Sequence, residues 1–383
     1  MVQTVLMLVT NEYRPDPRVH KEAKALLEHG YRVAVAAWDR SGGRPPSEKV
    51  EGVEVVRLRS GTVSSQAKLV LRYPWFFLKG LALARKVRPD AVHAHDLDTL
   101  PLGLAIARLR RVPLVFDAHE RYSKMIAVDV PPAVSRAVQA IEDLLAPRAD
   151  LIITINEVMA DELRARCGKE VVVIMNCIDL PPADAVKVHE RHTPLVLINP
   201  VTFEPMRYIE ESMAVIAKME GVCLRIAGSG RLQAQVERAA AEHPNIVHLG
   251  FLPLGRMLEE YPKADAVLAL ADPRNENYRN GIPNKMGEAM AFGLPIIVSK
   301  NILSGDIVER IGCGLAIEWS EDVFRAAIER LRDPEVRNEM GRRGRAAAET
   351  GYNWATMKGR LRDAYRELLN GRERGAAPED GRK

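Results

Sequence analysis

The segment Asn280-Gly281-Ile282-Pro283-Asn284-Lys285-Met286-Gly287-Glu288-Ala289-Met290-Ala291-Phe292 brings an amide, an ammonium and a carboxylate close together in sequence. Pro283 fixes φ at a value that suits the start of a helix. The spacing predicts a helix over 284–292, with Gly293 supplying a left-handed exit and Pro295 preventing continuation. Unpaired N–H groups and the helix dipole make the amino end at Asn284 electropositive. It can therefore hold an anion, and phosphate is the usual one. The loop facing that end is expected to carry Asn280 and Lys285. Glu288 lies one turn further in, where a carboxylate can accept hydrogen bonds from sugar hydroxyls.

Four further groupings could carry chemistry. His119 follows an apolar run, in Val115-Phe116-Asp117-Ala118-His119-Glu120. At a strand's carboxyl end it could bond a sugar hydroxyl or stabilise charge, or it could be satisfied by backbone. Asp117 and Glu120 flank it and could orient the ring or meet an acceptor. His93-Ala94-His95-Asp96-Leu97-Asp98 puts residues 93 and 95 on one side of a strand. That set could ligate a metal or line a cleft; no further ligand stands out, and no metal is expected. Arg207 could meet phosphate or be a solvated surface arginine. Gly228-Ser229-Gly230 serves tight turns as readily as ligands.

The elements that must position these groups alternate. Apolar runs at 5–9, 32–37, 53–58, 91–95, 114–116, 151–155 and 171–175 read as strands. Helical patterns fall between them, at about 18–29, at 69–85 with an interruption at Pro74, at 100–109 and at 132–145. The pattern restarts at Leu195, with strands at 195–198, 223–227, 246–249, 266–270 and 296–299. Such alternation implies parallel sheets covered on both faces, wound right-handed into Rossmann-like domains. A last amphipathic helix at 353–369 places Trp354, Met357, Leu361, Tyr365 and Leu368 on one stripe.

With 383 residues the chain is long enough for two cores. Its net charge of +4 gives no support to a nucleic-acid partner. No stretch has the length and apolarity of a spanning helix, and the amino terminus reads as a buried strand rather than a signal peptide. Cys167, Cys177, Cys223 and Cys313 lack metal-ligand spacing and read as reduced thiols of a cytoplasmic protein. The stretch 69–88 is aromatic and then basic. It could be a core helix with a basic edge or a peripheral contact with an anionic membrane.

Glu288-Ala289-Met290-Ala291 with Gly293 and Pro295 resembles the donor-binding element of glycosyltransferase family 4. These are retaining enzymes whose two Rossmann-like domains face each other across a cleft, the GT-B fold. The family brackets seven residues between two glutamates. Here the first position holds Asn280, similar to an Asn-x-x-Pro-x-Lys-x-x-Glu variant. The resemblance implies an α/β chain organised as an acceptor-side domain (1–180), a linker (181–193), a nucleotide-sugar domain (194–352), a helix crossing back to the first domain (353–370) and a disordered tail (371–383). It implies that Glu288 holds ribose, that Arg207, Lys285, Asn284, Gly228 and Gly230 serve the donor phosphates, and that His119 and Asn280 contact the donor sugar. Arg18, His95, Asp96, Asp117 and Glu120 become acceptor-side candidates. The expected partners are a nucleotide-sugar and a glycan, lipid-linked or other hydroxyl acceptor, with no cofactor. A sugar-nucleotide epimerase of the same shape, or a non-catalytic binder suggested by the absent first glutamate, would share the fold.

Overall fold

In the computed structural model residues 2–13, 16–61, 66–123 and 130–375 are described, with backbone alone over 66–70 and 371–375. The chain divides into two compact units, Met1–Met175 with Met357–Lys383, and Asn176–Thr356.

The first unit holds an eight-stranded sheet in the order β3-β4-β2-β1-β5-β6-β7-β8. Its strands are β1 (Thr4–Val9), β2 (Arg32–Asp39), β3 (Ser47–Val50), β4 (Val53–Arg59), β5 (Ala91–His95), β6 (Leu114–Ala118), β7 (Leu151–Thr154) and β8 (Val171–Val173). All pairings are parallel except β3 with β4. Val5, Leu6, Met7 and Leu8 are fully buried, as strands covered on both faces must be. The sequence reading lacked β3. It has no apolar run, because an edge strand exposed to water is better protected by charge, here Glu48 and Lys49.

Asp16 caps the helix Pro17–Glu28 by accepting from the N–H groups of Arg18 and Val19. The helix Gln66–Val87 continues through Pro74, where an interruption was expected. The final helix, Trp354–Gly375, runs past the expected end at 370, and the rest of the proposed tail lies outside the described residues. Met357, Leu361 and Tyr365 are fully buried as anticipated. Leu369, not Leu368, completes the buried stripe.

The second unit holds a six-stranded parallel sheet in the order β11-β10-β9-β12-β13-β14. These are β9 (Leu195–Pro200), β10 (Val222–Ala227), β11 (Ile246–His248), β12 (Ala266–Ala269), β13 (Ile296–Ser299) and β14 (Gly314–Ile317). β14 was not anticipated, since a four-residue edge opening on glycine gives little periodicity. Residues 181–193, expected as a linker, instead pack onto this unit. His189 is buried with Arg337 and Asp265, and the Lys187 N–H donates to the Phe292 carbonyl. The helix Asn284–Phe292 lies deep in the unit. Met286, Ala289, Met290 and Ala291 are fully buried, and burying each methionine contributes about 1.5–3 kcal/mol. Its amino end is thereby fixed rather than free to fray.

Candidate active site

In the second unit, the helix Asn284–Phe292 begins after Pro283, at φ −68° and ψ 137°, and no side chain caps it. Gly293 takes φ +69° and closes the other end, with its N–H bonded back to Met290. Lys285 is not in the loop, as the sequence reading placed it. It is the second residue of the helix and is buried, and its Nζ donates to Asn199 Oδ1 at 2.7 Å. Burial first, and then the neighbouring Arg207 guanidinium, hold the Lys285 pKa down to about 7, against an upward pull from Glu288.

Arg207 is half-buried and lies over the Tyr278 ring, 4.4 Å from its centroid. Its Nε also donates to the Tyr278 hydroxyl at 3.2 Å. Asn280 follows the short helix Glu276–Arg279 and is half-buried. Glu288 is buried and accepts a hydrogen bond from the Tyr261 hydroxyl. Tyr261 in turn stacks on Phe292, with centroids 5.4 Å apart.

Gly228 and Gly230, at φ +151° and +152°, are needed for close packing of two loops. A Cβ on Gly228 would lie 1.9 Å from the Val201 carbonyl oxygen, and one on Gly230 2.6 Å from that of Phe203. The Gly228 N–H is bonded to Gly250. These glycines, in the loop after β10, therefore let it pack against the loop that follows β9, on which Arg207 stands.

In the first unit, the carboxyl ends of β5 and β6 assemble a charged cluster. The Arg18 guanidinium donates to both Asp117 oxygens, Nε–Oδ2 at 2.9 Å and Nη2–Oδ1 at 2.6 Å, and to the Ile174 carbonyl at 2.6 Å. It also lies 3.2 Å from Glu22. Asp117 Oδ2 meets His119 Nε2 at 2.7 Å and His95 Nδ1 at 3.1 Å. His119 Nδ1 lies 3.2 Å from Asp96 Oδ2, and the His119 N–H donates to Asp96 Oδ1 at 3.2 Å. Asp96 itself takes φ +62°, a conformation aspartate tolerates at some cost.

Burial disfavours the charged form of His119, but Asp117 and Asp96 outweigh it and raise its pKa well above the usual value. Both ring nitrogens face carboxylates, which favours the imidazolium form. Burial likewise opposes ionisation of Asp117, yet Arg18 and His119 hold its pKa well below the usual range.

The stacked rings of His93 and His95 lie 4.2 Å apart, so they do share a face. His93 Nδ1 shares a hydrogen bond of 2.7 Å with Tyr365 of the final helix. Burial, then His95, drives the His93 pKa well down. Ligand atoms of Glu22, His93, His95 and Asp117 fall within 4.8 Å of one another, a grouping that could hold a metal. The sequence had offered Asp96 and Asp98 instead. Asp96 turns to His119, and Asp98 accepts from the Thr10 hydroxyl. The Arg18 guanidinium lies 3.2 Å from Glu22 and 2.6 Å from Asp117, so an ion held by this donor set would sit beside a fixed positive charge. Arg18, His95 and Asp117 are buried and engaged with one another, whereas Glu120 is exposed.

Residues 15–177 match the family described as glycosyl transferase 4-like domain, and residues 202–333 match glycosyl transferases group 1. The chain is a glycosyltransferase. It is family 4-like, with a GT-B fold. A glycogen synthase of Mycobacterium tuberculosis is 27% identical over 354 residues, covering 89% of this chain and 81% of that protein. A GDP-mannose-dependent monoacylated alpha-(1-6)-phosphatidylinositol monomannoside mannosyltransferase of Corynebacterium glutamicum is 33% identical over 153 residues, covering 38% of this chain and 39% of its own. The fold is similar to that of sucrose-phosphate synthase from Thermosynechococcus elongatus, with TM-score 0.77, 18% identity and coverage of 96% and 100%. It is also similar to HepE from Anabaena in complex with UDP and glucose, with TM-score 0.69, 14% identity and coverage of 94% and 99%.

The glycosyltransferase thus has two sets of candidate residues. One unit brings together Arg18, His95, Asp96, Asp117 and His119. The other joins Lys285 to Arg207 and Glu288 through their electrostatic coupling. Three contributors escaped the sequence reading: Asn199, Tyr261 and Tyr278. Asn199 was detectable, as a polar side chain directly after the apolar run Leu195-Val196-Leu197-Ile198. Tyr261 and Tyr278 gave no local signal, because their partners are distant in sequence.

Proposed function

We propose that this glycosyltransferase moves a sugar from a nucleoside-diphosphate sugar to a hydroxyl acceptor with retention at the anomeric carbon. The observation that carries the reading is the amino end of the helix Asn284–Phe292. It has no side-chain cap, and it bears the buried Lys285 with Arg207 coupled to it. Such an end stabilises negative charge. Lys285, Arg207 and the first amides, at Asn284 and beyond, receive the diphosphate. Glu288, oriented by Tyr261, accepts from the ribose hydroxyls, and Asn280 contacts the donor sugar.

The bond between the anomeric carbon and the phosphate oxygen breaks, and the acceptor oxygen bonds to the same face of that carbon. The acceptor proton passes to the departing phosphate, and a nucleoside diphosphate leaves. No enzymatic nucleophile is required, and the leaving charge is met by basic side chains and a helix end rather than by a metal. His119 contributes a fixed imidazolium charge. The GDP-mannose-dependent relative and the UDP-bound HepE neighbour support a nucleotide-sugar donor.

Thermal-shift titration against UDP-, GDP- and ADP-sugars tests the reading. One donor class should raise the melting point, by the linkage of binding to folding. Proton NMR of the product should then show the donor's anomeric configuration. Inverted product, or no shift with any nucleotide-sugar, would sink the proposal.

A further inference from the structure

The helix Gln66–Val87 has two faces, and the fold uses one. Phe76 and Ala84 are buried; Phe76 stacks on Trp38 with centroids 5.0 Å apart. On the other side Leu71 is 75%, Trp75 54% and Leu78 61% exposed. With Ala82, also exposed, they fall within about 60° of one another at 100° per residue. Arg85 adjoins this stripe on one side, and Lys79, Lys86 and Arg72 on the other. Arg72, Arg85 and Lys86 are exposed. Lys79 lies 5.9 Å from the Trp75 ring centroid and donates to the Arg59 carbonyl. The helix contains no acidic residue.

We infer that this face docks the glycosyltransferase on an anionic lipid surface. The stripe enters the headgroup–acyl boundary, and the flanking cations pair with lipid phosphates. A helix lying in the interface has this pattern: an apolar strip with tryptophan, bordered by Arg and Lys. No helix among the described residues is long and apolar enough to cross a membrane, so the contact is peripheral. Charge selects this face over a second exposed apolar one. Val134, Ile141 and Leu144 stand on the helix Pro132–Leu145, which carries a single cation, Arg136, and the acidic Asp143. The docking face is independent of the donor site, and its test needs no turnover.

The full chain is floated with vesicles of phosphatidylcholine alone and of phosphatidylcholine mixed with phosphatidylglycerol. It should rise with the anionic vesicles only, and less at high salt. Trp75→Ser should cut partitioning about tenfold. The triple variant Arg72→Gln, Arg85→Gln, Lys86→Gln should cut it by about fivefold per charge. All four side chains are exposed, so circular dichroism and melting should match the parent. Failure of the parent to float, equal binding to neutral vesicles, or undiminished binding of either variant would each overturn the inference. So would dilution-dependent self-association abolished by Trp75→Ser, which would make the occupant of this face a second copy of the chain.

Discussion

The two units treat buried positive charge in opposite ways. In the first, Arg18 and His119 meet carboxylates, Asp117, Asp96 and Glu22, within 3.2 Å. In the second, the hydrogen-bond partners of Lys285 and Arg207 are neutral, Asn199 and Tyr278. A cation matched by a carboxylate is a finished piece of structure. A buried cation held by an amide is costly until an anion arrives. The difference separates a preorganised scaffold from a site built to receive charge, and substitutions in the two places should read out differently.

The largest effect is expected at Asp117. Asp117→Ala leaves Arg18 and His119 facing one another without their shared carboxylate, and removing one partner of a buried pair costs about 3–5 kcal/mol. Urea unfolding should show that loss. Arg207→Ala, at a half-buried site, should cost only about 0.5–1 kcal/mol of stability through its lost contact with Tyr278 while weakening donor binding. If the two variants were equally destabilised, the contrast between the units would fail.

Lys285 gives a sharper test because its sign depends on pH. Its folded pKa of about 7 lies below the roughly 10.4 of an unfolded lysine. Between those values the unfolded chain binds more protons, so this group makes stability rise with pH across that window. Lys285→Met should remove the slope and be more stable than the parent below about pH 7. The same variant should lose about 2–5 kcal/mol of donor affinity. In the parent, bound diphosphate favours the ammonium. Affinity should therefore fall as pH rises through the free-state value, with proton uptake on binding. Calorimetry in buffers of different ionisation enthalpy measures that uptake. An intact nucleotide-sugar is the right ligand, since its diester phosphates do not titrate near neutrality. Zero uptake at about pH 8 would contradict the assignment of Lys285 to the phosphates.

What the sequence disclosed follows from the same physics. The strands β1, β5, β6 and β13 were legible because parallel strands buried on both faces read as unbroken apolar runs. The helix Asn284–Phe292 was legible to the residue, because Pro283 and Gly293 mark its ends. The edges β3 and β14 were hidden, being short and partly solvent-facing. His93 and His95 sharing a face followed from the two-residue strand period. The saturation of Asp117 by Arg18 did not, since 99 residues separate them and no local pattern encodes that meeting. Packing of 181–193 was hidden for a related reason. His189 is polar in sequence but is buried through Arg337 and Asp265, and a polar composition normally signals a connection in water.

The smallest expected effect on turnover bears on Tyr261, whose only polar side-chain atom donates to Glu288. Tyr261→Phe keeps the ring and its stacking on Phe292, so the cavity term is nearly absent. What is lost is one hydrogen bond to a carboxylate, worth about 1.5–3 kcal/mol, and part of that is recovered if water reaches Glu288. The loss should therefore appear mainly in donor recognition. A carboxylate freed to rotate holds ribose less well, so KM for the donor should rise while kcat changes little. A 2′- or 3′-deoxyribose donor, which cannot use Glu288 fully, should discriminate less between parent and variant than the natural donor does. Equal discrimination would mean that Tyr261 supports the fold of the helix and not the orientation of Glu288.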